Sequence, residues 1–130
     1  MNRVVKLAGV TLLLAAAAAQ AGDFDGSKNL ICAPVEVNEC VAGAKCLGAT
    51  PREAGTPTFL RIDFAKKVVV GPQRTSPIQL VEKSAGQLLL MGTELGFGWS
   101  LALDQDSGDM TATLADRDGA FVMFGSCMAP

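Results

Sequence analysis

The 130-residue chain has no histidine, no tyrosine and a single tryptophan. Without histidine, Ser-His and Cys-His nucleophile pairs are excluded, and metal ligation falls to cysteines and carboxylates alone. No phosphate-cradling glycine pattern separates a strand from a helix. Gly92, Gly96 and Gly98 fit a turn and a crowded strand instead. Basic residues are sparse: beyond residue 21, Lys66-Lys67 is the only adjacent basic pair. Nucleic acids and anionic lipids are held by clustered Lys and Arg, so neither is an expected partner.

What is present begins with a tripartite N-terminus. Met1 to Lys6 carries Arg3 and Lys6 and no acid, Leu7 to Ala18 is unbroken apolar or small sequence, and Ala19-Gln20-Ala21 closes the run. That order predicts a signal peptide over residues 1–21, cleaved after Ala21, with one domain over residues 22–130 in the periplasm or outside the cell. The apolar run is shorter than the roughly 20 residues that span a bilayer, and no cysteine follows the cleavage point, so no stable membrane anchor is expected. Loss of Arg3 and Lys6 leaves nine basic residues against thirteen acidic ones, a net charge of −4.

All four cysteines, Cys32, Cys40, Cys46 and Cys127, lie in the predicted mature part. An even count after export predicts two disulfides. Spacings of eight and six lack the Cys-x-x-Cys pairing of zinc sites. Four cysteines permit three connectivities. The small-residue loop Val41-Ala42-Gly43-Ala44-Lys45 favours Cys40 with Cys46, leaving Cys32 for Cys127.

The rest reads as β-structure. Asp23 to Asn29 is polar and expected to fray. Leu30 to Val37 reads as a strand in which Pro34 marks an edge or a bulge, and Val37 to Pro57 as a long irregular segment. Thr58, Leu60, Ile62 and Phe64 then alternate with Phe59, Arg61 and Asp63, the period of a half-buried strand. Lys66-Lys67 turns into Val68-Val69-Val70, stopped by Gly71-Pro72. Ile78 to Lys83, Gln87 to Met91, Phe97 to Leu103, Met110 to Leu114 and Ala120 to Cys127 follow, separated by turn residues. The fold class is therefore mainly β: one small antiparallel meander of about eight short strands, forming a barrel or a sandwich, with two disulfides. Phe97, Trp99, Leu101 and Leu103 share one face, read as core, with a ligand cavity as the alternative.

Few residues suggest chemistry. Asp104, Asp106 and Asp109 resemble the start of a calcium loop, but the glycine comes too early and Ala115 stands where a closing Glu belongs. A solvated turn explains them better. Neither a catalytic residue nor a cofactor is assigned. The segment from Glu39 to Pro57 is long for a structureless loop, and such loops are usually functional or disordered. Arg52 and Glu53 are its candidate interaction residues, against the alternative of a stapled cap over one end of the sheet.

Phe24-Asp25-Gly26-Ser27, Leu30-Ile31-Cys32, Glu39-Cys40, Cys46, Phe59-Leu60-Arg61-Ile62-Asp63-Phe64, Trp99-Ser100 and Phe124-Gly125-Ser126-Cys127 form an ordered set. With it the chain resembles a group of small exported, four-cysteine, β-rich proteins of Gram-negative bacteria of unassigned function. The resemblance implies export and the four-cysteine framework, and supplies no activity, ligand or catalytic residue. A looser, fold-level analogy is to small periplasmic inhibitors of lysozyme or proteases. The expected function is an exported binding module of the bacterial envelope, inhibitor-like, with a protein or envelope component as partner. The alternatives are a small carboxylate-dependent hydrolase and a β-barrel carrier of an apolar ligand.

Overall fold

The computed structural model describes residues 22–130; the predicted signal peptide lies outside the described residues. Ten strands and one helical turn follow in order: β1 (Leu30–Val41), β2 (Leu47–Ala49), α1 (Pro51–Ala54), β3 (Leu60–Asp63), β4 (Val68–Val70), β5 (Thr75–Pro77), β6 (Leu80–Ser84), β7 (Gln87–Glu94), β8 (Phe97–Asp104), β9 (Asp109–Ala115) and β10 (Gly119–Met128). Every pairing is antiparallel. The sheet order is β5-β4-β3-β1-β10-β9-β8-β7-β6, with β2 pairing β1 off this path. The sheet curls into a half-barrel.

Curling follows from which strands meet. β1 pairs with β10 over nearly its whole length, and Cys32 stands opposite Cys127, where the two are disulfide-bonded. First and last strands thus lie at the centre of the sheet. Its two outermost strands are β5 and β6, consecutive in sequence. Ile78 and Gln79 form the step between them: the Ile78 amide donates to the Lys67 carbonyl at 2.8 Å, and the Gln79 amide to the Met91 carbonyl at 2.9 Å. One extended stretch therefore serves β4 at its start and β7 at its end.

Strand alternation puts one apolar face inward. Register aligns Val37, Met123, Ala112, Leu101, Leu90 and Val81 in one row across the sheet. Phe121, Leu114, Trp99 and Gly92 form the neighbouring row. The core also holds Leu30, Ile62, Leu88, Leu103 and Met110, and no polar or charged residue is buried among the described residues. Each large side chain fully buried in this way contributes about 1.5–3 kcal/mol.

Several expectations change in detail. The strands number ten rather than eight because two three-residue strands, β2 and β5, escape a periodicity reading. Val37 to Pro57 is not irregular: β1 runs on to Val41, turns back as β2 across the Cys40–Cys46 disulfide, and leads into α1. Pro34 marks a bulge, since register shifts between Pro34 and Glu36. It lies between the stretches of β1 that pair β3 and β2, where no partner on that side needs its missing amide. Asp23 to Asn29 does not fray. Phe24 packs against the core with its ring so close to Gly108 that a Cβ there would lie 2.5 Å from it, and Asn29 Oδ1 accepts from the Phe64 amide at 3.2 Å. Ile78 is buried while Leu80 is exposed, against the shared face their spacing predicts. The step from β4 to β7 falls between them.

The turn between β7 and β8 is a two-residue hairpin loop in which Leu95 and Gly96 have φ of 47° and 85°. Left-handed backbone disfavours leucine, and Asn-Gly is the favoured pair there. Leu95→Asn is expected to raise stability by about 1 kcal/mol, read as a higher urea midpoint at unchanged slope. An unchanged or lower midpoint contradicts this. For the disulfides, the Cys32–Cys127 bond spans a sequence separation of 95 and Cys40–Cys46 one of 6. Chain entropy assigns about 4–5 kcal/mol to the long loop and about 2 to the short one. Cys32→Ala should therefore lower the melting temperature far more than Cys40→Ala, and equal losses would refute that ranking.

Candidate functional site

Small residues leave a space that the larger neighbours do not fill. Ala112 sits between Leu101 and Met123 in the inner row, so the floor dips at its methyl group. Above it stand Trp99, Leu114 and Phe121, all only partly buried. Leu60 and Val69, from β3 and β4, face them across the concave side. Together these walls bound an open pocket of about 420 Å³. Its far side is closed by Ala54 to Thr58, the chain leaving α1, and by the β4–β5 turn. Glu94 and Phe97 flank the β7–β8 turn, and Arg74 ends the β4–β5 turn, where its carbonyl accepts from the Gly71 amide at 2.7 Å.

Trp99 organises one wall. Opposite it on β7 is Gly92, where a Cβ would lie 2.5 Å from the indole ring and from the Pro77 carbonyl oxygen. Only glycine lets the ring lie flat over β7 beside the incoming chain. The indole N–H then donates to Ser76 Oγ at 2.8 Å. The Ser76 hydroxyl donates to the Thr93 carbonyl at 3.3 Å, and the Gln79 side-chain amide donates to Thr93 Oγ1 at 3.2 Å. Side chains thus stitch β5 to β7 where backbone pairing is absent.

The candidate loop meets the pocket only at its end, where Ala54 to Pro57 line the wall. α1 is fixed by a capping box: the Glu53 amide donates to Thr50 Oγ1 at 3.4 Å, while Glu53 Oε2 accepts from the Thr50 amide at 2.9 Å and hydroxyl at 2.8 Å. Glu53 is thereby committed to holding α1, and Arg52 is exposed on the same turn. Neither lines the pocket, although the residues immediately after them do. The Asp104 carboxylate is similarly engaged, accepting from the Asp106 and Ser107 amides at 2.9 and 2.8 Å. Among the described residues no group of three or more Cys, Asp or Glu is placed to hold a metal ion.

The Phe97-to-Leu103 stripe divides between the two roles weighed for it. Leu103 is buried away from the pocket, Leu101 is buried yet lines it, and Phe97 and Trp99 line its wall. Sequence reasoning missed Ser76, Arg74 and Glu94, because only the meeting of β5 with β7 brings them to one mouth. The isolated Gly92 in an apolar run was the single local signal of a close approach. No family model, curated protein or solved structure matches this chain.

The two engaged carboxylates carry a pH signature. The Thr50 amide, then its hydroxyl, holds the Glu53 carboxyl below the usual glutamate range. The Ser107 amide, followed by that of Asp106, does the same for Asp104. A lowered native pKa gives stabilisation that is full above the unfolded value and is lost as pH falls through the native one. The Thr50 and Ser107 amide resonances should therefore titrate with these carboxylates, at midpoints lower in the folded protein than in urea. Coincident midpoints would refute the engagement.

Proposed function

We propose that the chain is an exported binding module of the bacterial envelope that holds an apolar ligand in its concave pocket. The observation that carries this is the pocket of about 420 Å³ walled by Trp99, Leu114, Phe121, Leu60 and Val69. Its size falls within the range of small-molecule sites, which are mostly apolar with a few placed polar groups. Apolar walls left open to water favour an occupant that removes them from it. The two disulfides suit an oxidising compartment outside the cytoplasm. A carboxylate-pair hydrolase needs two carboxyl groups facing each other across its site; among the described residues Glu94 is the one carboxylate lining the pocket.

The sole tryptophan stands in the pocket wall, so its emission is the direct probe. Titration with neutral N-phenylnaphthylamine should give saturable energy transfer from Trp99 at one equivalent. Ala112→Leu, which raises the floor, should weaken binding roughly tenfold, equivalent to about 1.4 kcal/mol, with the far-ultraviolet dichroism unchanged. Absence of saturable transfer in the folded wild-type protein would overturn the proposal.

A further inference from the structure

The mouth of the pocket carries one charge of each sign. Arg74 and Glu94 are the only charged residues among the described residues lining it. Neither forms an ion pair with another described residue. They stand on opposite sides of one seam. Ser76 meets Thr93 and Gln79 meets Met91, so β5 runs antiparallel to β7 and carries Arg74 up beside the turn that follows Glu94. The interior offers nothing comparable. Trp99 Nε1 and Ser76 Oγ bond each other, and among the described residues no polar or charged one is buried in the core. A polar group pushed inward would lose its hydration without compensation.

We infer that the ligand is a single-chain amphiphile with a zwitterionic head. Its apolar chain lies over Ala112 between Trp99 and Leu60, its anionic group meets Arg74, and its cationic group meets Glu94. This rests on the apolar-pocket reading above. A volume near 420 Å³ is at the small end of the range for ligand sites, which favours one chain over two. The paired mouth charges select against heads of either single sign, since each would meet one like charge.

Decylphosphocholine, decyl sulfate and decyltrimethylammonium share a chain and differ in head charge. Each is titrated below its micellar concentration, followed by Trp99 emission, with dichroism confirming the fold. The zwitterionic probe should bind roughly threefold to fivefold more tightly than either other, the upper part of the range an exposed ion pair supports. Arg74→Gln should move the preference to the cationic probe, and Glu94→Gln to the anionic one. Equal affinities for all three, or an order that neither substitution changes, would overturn the inference. If the decyl probes fail while N-phenylnaphthylamine still binds, this inference falls and the apolar pocket stands. If the folded protein binds none of them, both fall.

Discussion

Pairing the first strand with the last, locked by Cys32–Cys127, is the constraint from which the other features follow. With β1 and β10 at the centre, the chain has two arms. One runs out through β3, β4 and β5, the other back through β9, β8, β7 and β6. Right-handed twist curls such a sheet. Because the arms share the segment that ends one and begins the other, they must come round to meet. A concave apolar face is the necessary product, and the bond between the terminal strands holds it together.

Whether such a face becomes a filled core or a pocket depends on side-chain volume. Toward the Phe24 end, Leu30, Ile62, Leu88, Leu103 and Met110 fill it. Toward the other end the inner row contains Ala112, and the next row contains Gly92, covered by the ring of Trp99. Small residues on one arm stand opposite Leu60 and Val69 on the other, and the pocket lies between them. The pocket is a consequence of composition along two rows of the sheet.

Much of this fold was legible in the chain because its signals are local. Period-two alternation located the strands from Leu60 onward, and turn residues such as Ser84-Ala85-Gly86 and Asp116-Arg117-Asp118-Gly119 separated them. The disulfide pairing was readable from loop length and elimination. What escaped depends on long-range partnership. β2 and β5 are three residues long, and each is a strand only because a neighbour is there to pair with. Phe24 looked like part of a fraying tail since nothing nearby in sequence announces Gly108. The pocket was half visible: the Phe97–Leu103 stripe was read as core with a cavity as its rival, and it turned out to divide between them. Arg74 and Glu94, twenty positions apart, had no sequence signal connecting them.

The shared segment from Thr75 to Ser84 has a mechanical consequence. Ordinarily a strand at the margin of a sheet slides by two residues at modest cost, since its apolar face is preserved. Here a slide against β4 drags the following residues equally along β7, and both must find new partners at once. The arrangement works as a vernier: two short scales on one ruler, each three to five residues long, admit one common alignment. Strands too short to hold their place alone thereby fix the wall of the cavity to which Ser76 belongs.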